Sequence, residues 1–341
     1  MTAPFPTQQI ASLSGHNGPV HALTYSAGLG QYVLTGSSDR TIRLFNATKA
    51  SLVQSYTGHG YEVLDIAVTE DNARFASCGG DKSVFVWDVA TAKTLRRLAG
   101  HVGRVNGVAW AAAADVLVSG SFDATVKLWD LKSQSTKPLM TLDEARDGVS
   151  SVAAVEHQIF AGSVDGRVRT YDIRMGMVYE DVVGHSVTSI TPTKIADSAL
   201  VSSLDSTLRL MDLANGKLLQ AFKSPDYTNT AYRIRSTLAN KDATALSGSE
   251  DGAIVAWDVV SGEVMHTLRQ QQQPQNAAAA ASTGKKNVVS AVAWCPGRRK
   301  EFASAGGNGE VVLWGVTGGE SWSLFFLMLE VPECFLHVLL Q

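Results

Sequence analysis

His101, Ser119 and Asp123 are the residue types of a nucleophilic hydrolase, in which a carboxylate orients an imidazole and the imidazole takes the hydroxyl proton. His59, Ser77 and Asp81 supply the same set a second time. The duplication argues against that chemistry. Each set is followed, six residues past its aspartate, by a tryptophan: Trp87 in one and Trp129 in the other. A buried hydrogen-bond chain accounts for all four residues. Aspartate orients histidine, histidine bonds the serine hydroxyl, and serine accepts from the indole N–H. Incomplete copies favour this reading. His16, Thr35 and Asp39 stand with Phe45, which has no N–H, and His185 and Asp205 stand with Val201 and Met211. Ser247, Asp251 and Trp257, like Ser304, Asn308 and Trp314, lack the histidine. A stabilising device worth ~1–3 kcal/mol per buried group tolerates such erosion, whereas a catalytic one does not. No phosphate-binding P-loop, GxSxG or HExxH occurs, and the Gly-rich SCGGD and SAGGN fall at strand turns. The expectation is a non-enzyme without cofactor or metal.

The elements that position these residues are short strands. From Gly100 to Leu131 three runs alternate apolar and polar residues between Gly, Asp and Ser punctuation, which is the pattern of β-strands joined by tight turns. The Trp-Asp marker recurs as Phe45-Asn46, Trp87-Asp88, Trp129-Asp130, Tyr171-Asp172, Met211-Asp212, Trp257-Asp258 and Trp314-Gly315. Its steps are 42, 42, 42, 40, 46 and 57 residues. Six residues before each marker stands a turn residue: Asp39, Asp81, Asp123, Asp165, Asp205, Asp251 and Asn308. A period near 40–45 residues with four strands per unit resembles the WD-repeat β-propeller. The fold class is therefore all-β: a seven-bladed WD-repeat β-propeller over residues 8–314, closed by an N-terminal strand at Ile10 to Leu13. That strand should form the outer edge of the last blade, so truncating residues 8–14 should open the ring.

The repeat overrides the two-domain expectation that 341 residues would otherwise raise. A net charge of −3 disfavours binding dominated by phosphate backbones, and direct nucleic-acid contact is not expected. The cluster Arg298-Arg299-Lys300 reads as a solvated turn of blade seven. Cys78, Cys295 and Cys334 show no paired spacing, as in a reducing compartment. With no secretory signal and no uninterrupted apolar span, no membrane association is expected and the chain should be soluble. Residues 270–286 form a Gln/Ala-rich insert, expected to be a loop. Residues 315–341 form an apolar tail outside the ring, either a docking segment or a variant C-terminus, and an aggregation liability where exposed.

Partners should meet the rims. The residue before each turn aspartate sits at a tip, which brings Phe122, Val164 and Leu204 of three neighbouring blades to one face as a candidate apolar patch. The alternative is that these side chains fold onto the adjoining blade. Tyr61, Glu62, Arg104 and Arg146 would supply a polar and aromatic rim. At the opposite end Tyr171-Asp172-Ile173-Arg174 resembles the WDxR box of cullin-4 ubiquitin-ligase substrate receptors, with Arg174 as the residue that would meet the adaptor. The runs GSVDGRVRTYDIRMG (162–176) and LVSSLDSTLRL (200–210) resemble the mitogen-activated protein kinase organizers, the WD-repeat-containing protein 83 type. The resemblance covers about residues 8 to 314. It implies a non-catalytic scaffold, monomeric within larger complexes, whose partners are kinase-cascade components and splicing factors. The Gln/Ala insert, the Trp314-Gly315 ending and the apolar tail depart from that family's pattern.

Overall fold

A computed structural model describes residues 5–111, 115–133, 135–270, 288–297 and 299–316. Twenty-eight strands there form seven four-stranded sheets, each joined in sequence order except one. In blade three the order is β10 (Val105–Ala111), β11 (Val116–Ser121), β12 (Val126–Asp130) and β13 (Met140–Leu142). The exception is the seventh sheet. There β1 (Gln8–Leu13) lies outside β28 (Val311–Gly315), followed by β27 (Phe302–Gly306) and β26 (Val289–Trp294). The first strand of the chain thus locks the last blade, as the repeat offset requires.

The core lies between blades rather than within them. Each of the seven apolar clusters draws residues from two neighbouring sheets. One joins Val84, Val86 and Leu98 of blade two to Val105, Val108, Leu117 and Trp129 of blade three. The cluster that closes the ring joins Leu13, Val311 and Leu313 to Val20, Leu23, Val33 and Phe45 of blade one. One blade cannot bury both of its faces alone, so stability depends on the circle being complete.

Two local rules set the strands. The residue after each turn aspartate adopts a left-handed backbone: Arg40 (φ 69), Lys82 (φ 59), Ala124 (φ 64), Gly166 (φ 77), Ser206 (φ 55), Gly252 (φ 88) and Gly309 (φ 84). Glycine meets that demand without strain at three of the seven blades. Six inner strands begin with a register shift just after a buried valine, as between Val105 and Gly107. Blade six differs: its inner strand β22 (Ser236–Ala239) first pairs at Ser236 with Ser247, without that shift.

Residues 271–286 of the insert and 317–341 of the tail lie outside the described residues, as does Arg298. Arg299 is not the solvated basic residue expected from sequence. It donates to Thr48 Oγ1 (2.7 Å) and to the Gly30 carbonyl (2.6 Å), joining blade seven to blade one.

Candidate functional site

The four-residue relays of blades two and three are built from loop, strand and turn. In blade three Asp123 Oδ2 stands 2.9 Å from His101 Nδ1, and His101 Nε2 stands 2.9 Å from Ser119 Oγ. Trp129 Nε1 donates to the same hydroxyl at 2.8 Å. Blade two repeats this with His59 to Asp81 (2.7 Å), His59 to Ser77 (2.7 Å) and Trp87 to Ser77 (2.8 Å). The pattern assigns the neutral Nδ1–H tautomer: Nδ1 donates to aspartate, the serine O–H donates to Nε2, and the indole supplies the serine oxygen's incoming bond. Ser77 and Ser119 are 0% exposed, so no substrate carbonyl reaches either hydroxyl. Blade one carries His16 on Asp39 (2.8 Å) and on Thr35 (2.7 Å), without an indole.

The remaining blades are rebuilt rather than eroded. In blade four Arg169, on β16 (Arg167–Asp172), donates to Asp165 Oδ2 and Ser163 Oγ, each at 2.8 Å. Blade five uses Arg209 on β20 (Thr207–Asp212), which bonds Ser203 Oγ (2.6 Å) and Asp205 Oδ2 (2.5 Å). His185 turns outward instead, with a side chain 58% exposed and a nitrogen 3.9 Å from Asp205. In blade seven Gln270 takes the histidine's place, its amide donating to Ser304 Oγ (2.7 Å) while Trp314 donates there at 2.8 Å. Blade six corrects the sequence reading, because Trp257 Nε1 donates to the Lys223 carbonyl (3.3 Å) rather than to Ser247.

Burial holds the His101 imidazole below its ordinary 6.5, although Asp123 pulls the other way. Burial pushes the Asp123 carboxyl up, yet the Thr125 hydrogen bond and the neighbouring His101 overcome this and bring it down to about 2. In both groups the unfolded chain takes up protons at a higher pH than the folded one. The relay's stability is therefore complete above about pH 6.5, declines as unfolded-state histidine protonates, and declines again below about pH 4. Replacing His101 by glutamine should flatten the drop in melting temperature between about pH 7 and about pH 5. An unchanged pH slope in H101Q would show that the imidazole does not carry that decline.

The rim residues divide by exposure. Phe122 is 50% and Tyr61 60% exposed. Arg104 is exposed, with its guanidinium 4.9 Å from the centre of the Phe122 ring. Phe122 also leans on Gly148 of blade four, where an added Cβ would stand 2.8 Å from its ring. Val164, Leu204 and Glu62 are half-buried, and Arg146 is exposed with its N–H on Asp165. Arg174 is exposed in a turn at the other end, its N–H on Asp172 Oδ1 at 2.9 Å. Among the described residues no group of three His, Cys, Asp or Glu is placed to hold a metal ion. Among the described residues no helix is long and apolar enough to cross a membrane.

Seven closed blades, each turning on an aspartate or asparagine and most stapled by such relays, define a WD-repeat β-propeller. The family model for the WD domain, G-beta repeat, matches residues 7–46. The chain belongs to the WD repeat domain-containing protein 83 family. It is 45% identical over 263 residues to that protein of Homo sapiens, an alignment spanning 77% of this chain and 82% of the human one. The Danio rerio protein of the same name is 43% identical over 272 residues, spanning 77% and 85%. A model for the nucleolar protein 10-like N-terminal domain matches residues 35–242. Autophagy-related protein 16 of Arabidopsis thaliana is 26% identical over 304 residues, covering 89% of this chain and 57% of the relative. WD-repeat propellers are generally non-catalytic scaffolds, and membership of this family implies a protein-interaction scaffold.

Proposed function

We propose that this scaffold gathers components of a mitogen-activated protein kinase cascade and associates with pre-mRNA splicing complexes, acting as a monomer within larger assemblies in cytoplasm and nucleus. The blade-four and blade-five runs 162–176 and 200–210 support the reading, since they carry the resemblance and hold the arginine-based relays. The observation that carries the choice of face is the exposed Arg104–Phe122 pair, whose types are those of interface anchors. Phe122→Asp with Leu204→Asp should leave the seven sheets folded by circular dichroism and abolish capture of cascade partners in pull-downs. Unchanged capture by the folded double variant would move the binding face elsewhere.

A second reading, a cullin-4 substrate receptor, draws support from the exposure of Arg174 beside Asp172. Tyr171 stands where that box has tryptophan. The same pull-down with Arg174→Ala tests it through loss of the ligase adaptor alone.

A further inference from the structure

Blade six opens the central channel differently from the other six. Its inner strand begins late, and residues 229–235 leave the sheet before Ser236 pairs with Ser247. The loop is fixed at its start by Glu250, whose carboxylate accepts from the N–H groups of Thr230 (2.6 Å), Ala231 (2.6 Å) and Tyr232 (3.1 Å). It is fixed at its end by the Arg235 N–H, which donates to the Ser290 carbonyl of blade seven at 3.0 Å. From there the Arg235 guanidinium reaches Asp65 Oδ1 of blade two at 2.6 Å. Blades two and six are not neighbours, so this ion pair crosses the channel. Asp65 is held to receive it, its other oxygen accepting from the Val108 N–H at 3.0 Å. On one side of the bridge lies a cavity of about 450 Å³, with Ser151, Ser189 and Ser236 in its wall.

Arg233, two residues earlier on the same loop, has no such counterpart. Its Nε and Nη2 are closed off from solvent and have no hydrogen-bond partner. The charges that act on it are Arg235, Asp65 and Arg104, and Asp65 is already paired across the channel. Burial and the adjacent Arg235 cation pull the Arg233 guanidinium down to about 9. His21, half-buried, is pulled down to about 4 by desolvation and by the Arg233 charge and is neutral at physiological pH. Arg233 is half-buried, yet two nitrogens sealed from solvent in this way are costly, because buried donors are ordinarily hydrogen-bonded.

We propose that Arg233, together with Arg104, is a receptor for one phosphoryl group presented on a partner polypeptide at the channel mouth. An arginine edge offers two parallel N–H donors that match an oxyanion bidentately. Two cations not paired to Asp65, opposed near the mouth by Glu62, suit a dianion better than a single carboxylate. Binding re-aims the Arg233 side chain, so that its two unsatisfied nitrogens gain acceptors. Tyr61 and Phe122, 60% and 50% exposed, stand ready to pack the peptide that carries the group. Only the carrier of the phosphoryl group rests on the scaffold reading; the oxyanion site stands on the channel itself.

The test is calorimetric titration of the whole chain with inorganic phosphate, phosphoserine and acetate at constant ionic strength. Phosphate and phosphoserine should bind saturably, acetate at least tenfold more weakly, and Arg233→Gln should lose at least tenfold for both phosphates. R233Q should melt no lower than the parent, since it removes a cation whose Nε and Nη2 are sealed without a partner. A second measurement needs no variant: the Arg233 Nε–H resonance should shift as inorganic phosphate is added. The proposal is overturned by absence of saturable phosphate binding, by R233Q binding within twofold of the parent, by acetate binding as tightly as phosphate, or by an unmoved resonance. Those failures are distinct from failure of the Phe122 and Leu204 test, which reads partner capture and not anion binding.

Discussion

Deleting residues 8–14 should leave a chain that no longer melts cooperatively at all. β1 pairs along β28 from Gln8 with Gly315 to Leu13 with Val311, with one register shift between Gln9 and Ala11. Its Leu13 is 2% exposed within the cluster that fuses the last blade to the first. Without the strand, Val311, Val312 and Leu313, all buried, would lie on an open sheet edge. The loss of one buried leucine at about 2–5 kcal/mol is only the first part of the effect, because the closing interface fails with it. Against a typical total of about 5–15 kcal/mol, the sum should leave most of the chain unfolded at 25 °C. Circular dichroism melts and dye binding to exposed apolar surface read the outcome. Ile10, 51% exposed on the same strand, supplies the control, since Ile10→Ser should shift the midpoint little. A synthetic peptide spanning residues 5–15 should restore the cooperative melt in trans by re-adding the strand. A deleted chain that keeps the parent's midpoint would mean that closure does not govern stability.

The circle was legible in the sequence because its signals are local and repeated. The Trp-Asp markers, the turn aspartates and the period-two alternation each recur at fixed spacing, so seven weak signals reinforce one another. The same regularity made the relays of blades two and three readable down to atoms, as with His101, Ser119 and Trp129. What escaped was substitution by a residue arriving from a different element. Arg169 and Arg209 sit at outward-alternating strand positions, where a long cation reads as solvent-facing. The available signal was arginine four residues past the turn aspartate, in DGRVR and DSTLR. Gln270 was hidden by belonging to a glutamine run, although its amide can reach Ser304 as a histidine would. Trp257 kept the expected spacing but found the Lys223 carbonyl instead of Ser247. The pair of Asp65 with Arg235 is 2.6 Å apart in space and 170 residues apart in sequence, and no pattern within one repeat could announce it.

Replacing Arg169 by methionine should be the most damaging single substitution in the relays, and its pH dependence should identify the cause. Arg169 is 1% exposed and bonds three groups at once: Asp165 Oδ2, Ser163 Oγ and Glu180 Oε2, the last at 2.9 Å. Burial pushes the Asp165 carboxyl up, but the Arg169 and Ser163 hydrogen bonds win and hold it below the ordinary carboxylate range. Asp165 thus contributes stability that is present above about pH 4 and lost as pH falls toward its lowered folded value. Methionine fills the volume of the stem and removes the compensating charge, which leaves a largely buried carboxylate without its counter-ion, held by the Ser163 hydroxyl and the Arg146 and Arg167 N–H groups alone. The expected loss at neutral pH is about 3–5 kcal/mol by chemical denaturation. In the variant the same carboxyl titrates higher than in the parent, so protonation costs the folded variant less than it costs the folded parent. The deficit of R169M against the parent should therefore narrow as pH falls from about 7 to about 4. Asp165→Asn in the R169M background should recover part of the loss, giving a large coupling energy in the double-mutant cycle. A deficit below about 1 kcal/mol, or one that does not change with pH, would mean that Arg169 only fills space in blade four and does not hold the turn through charge.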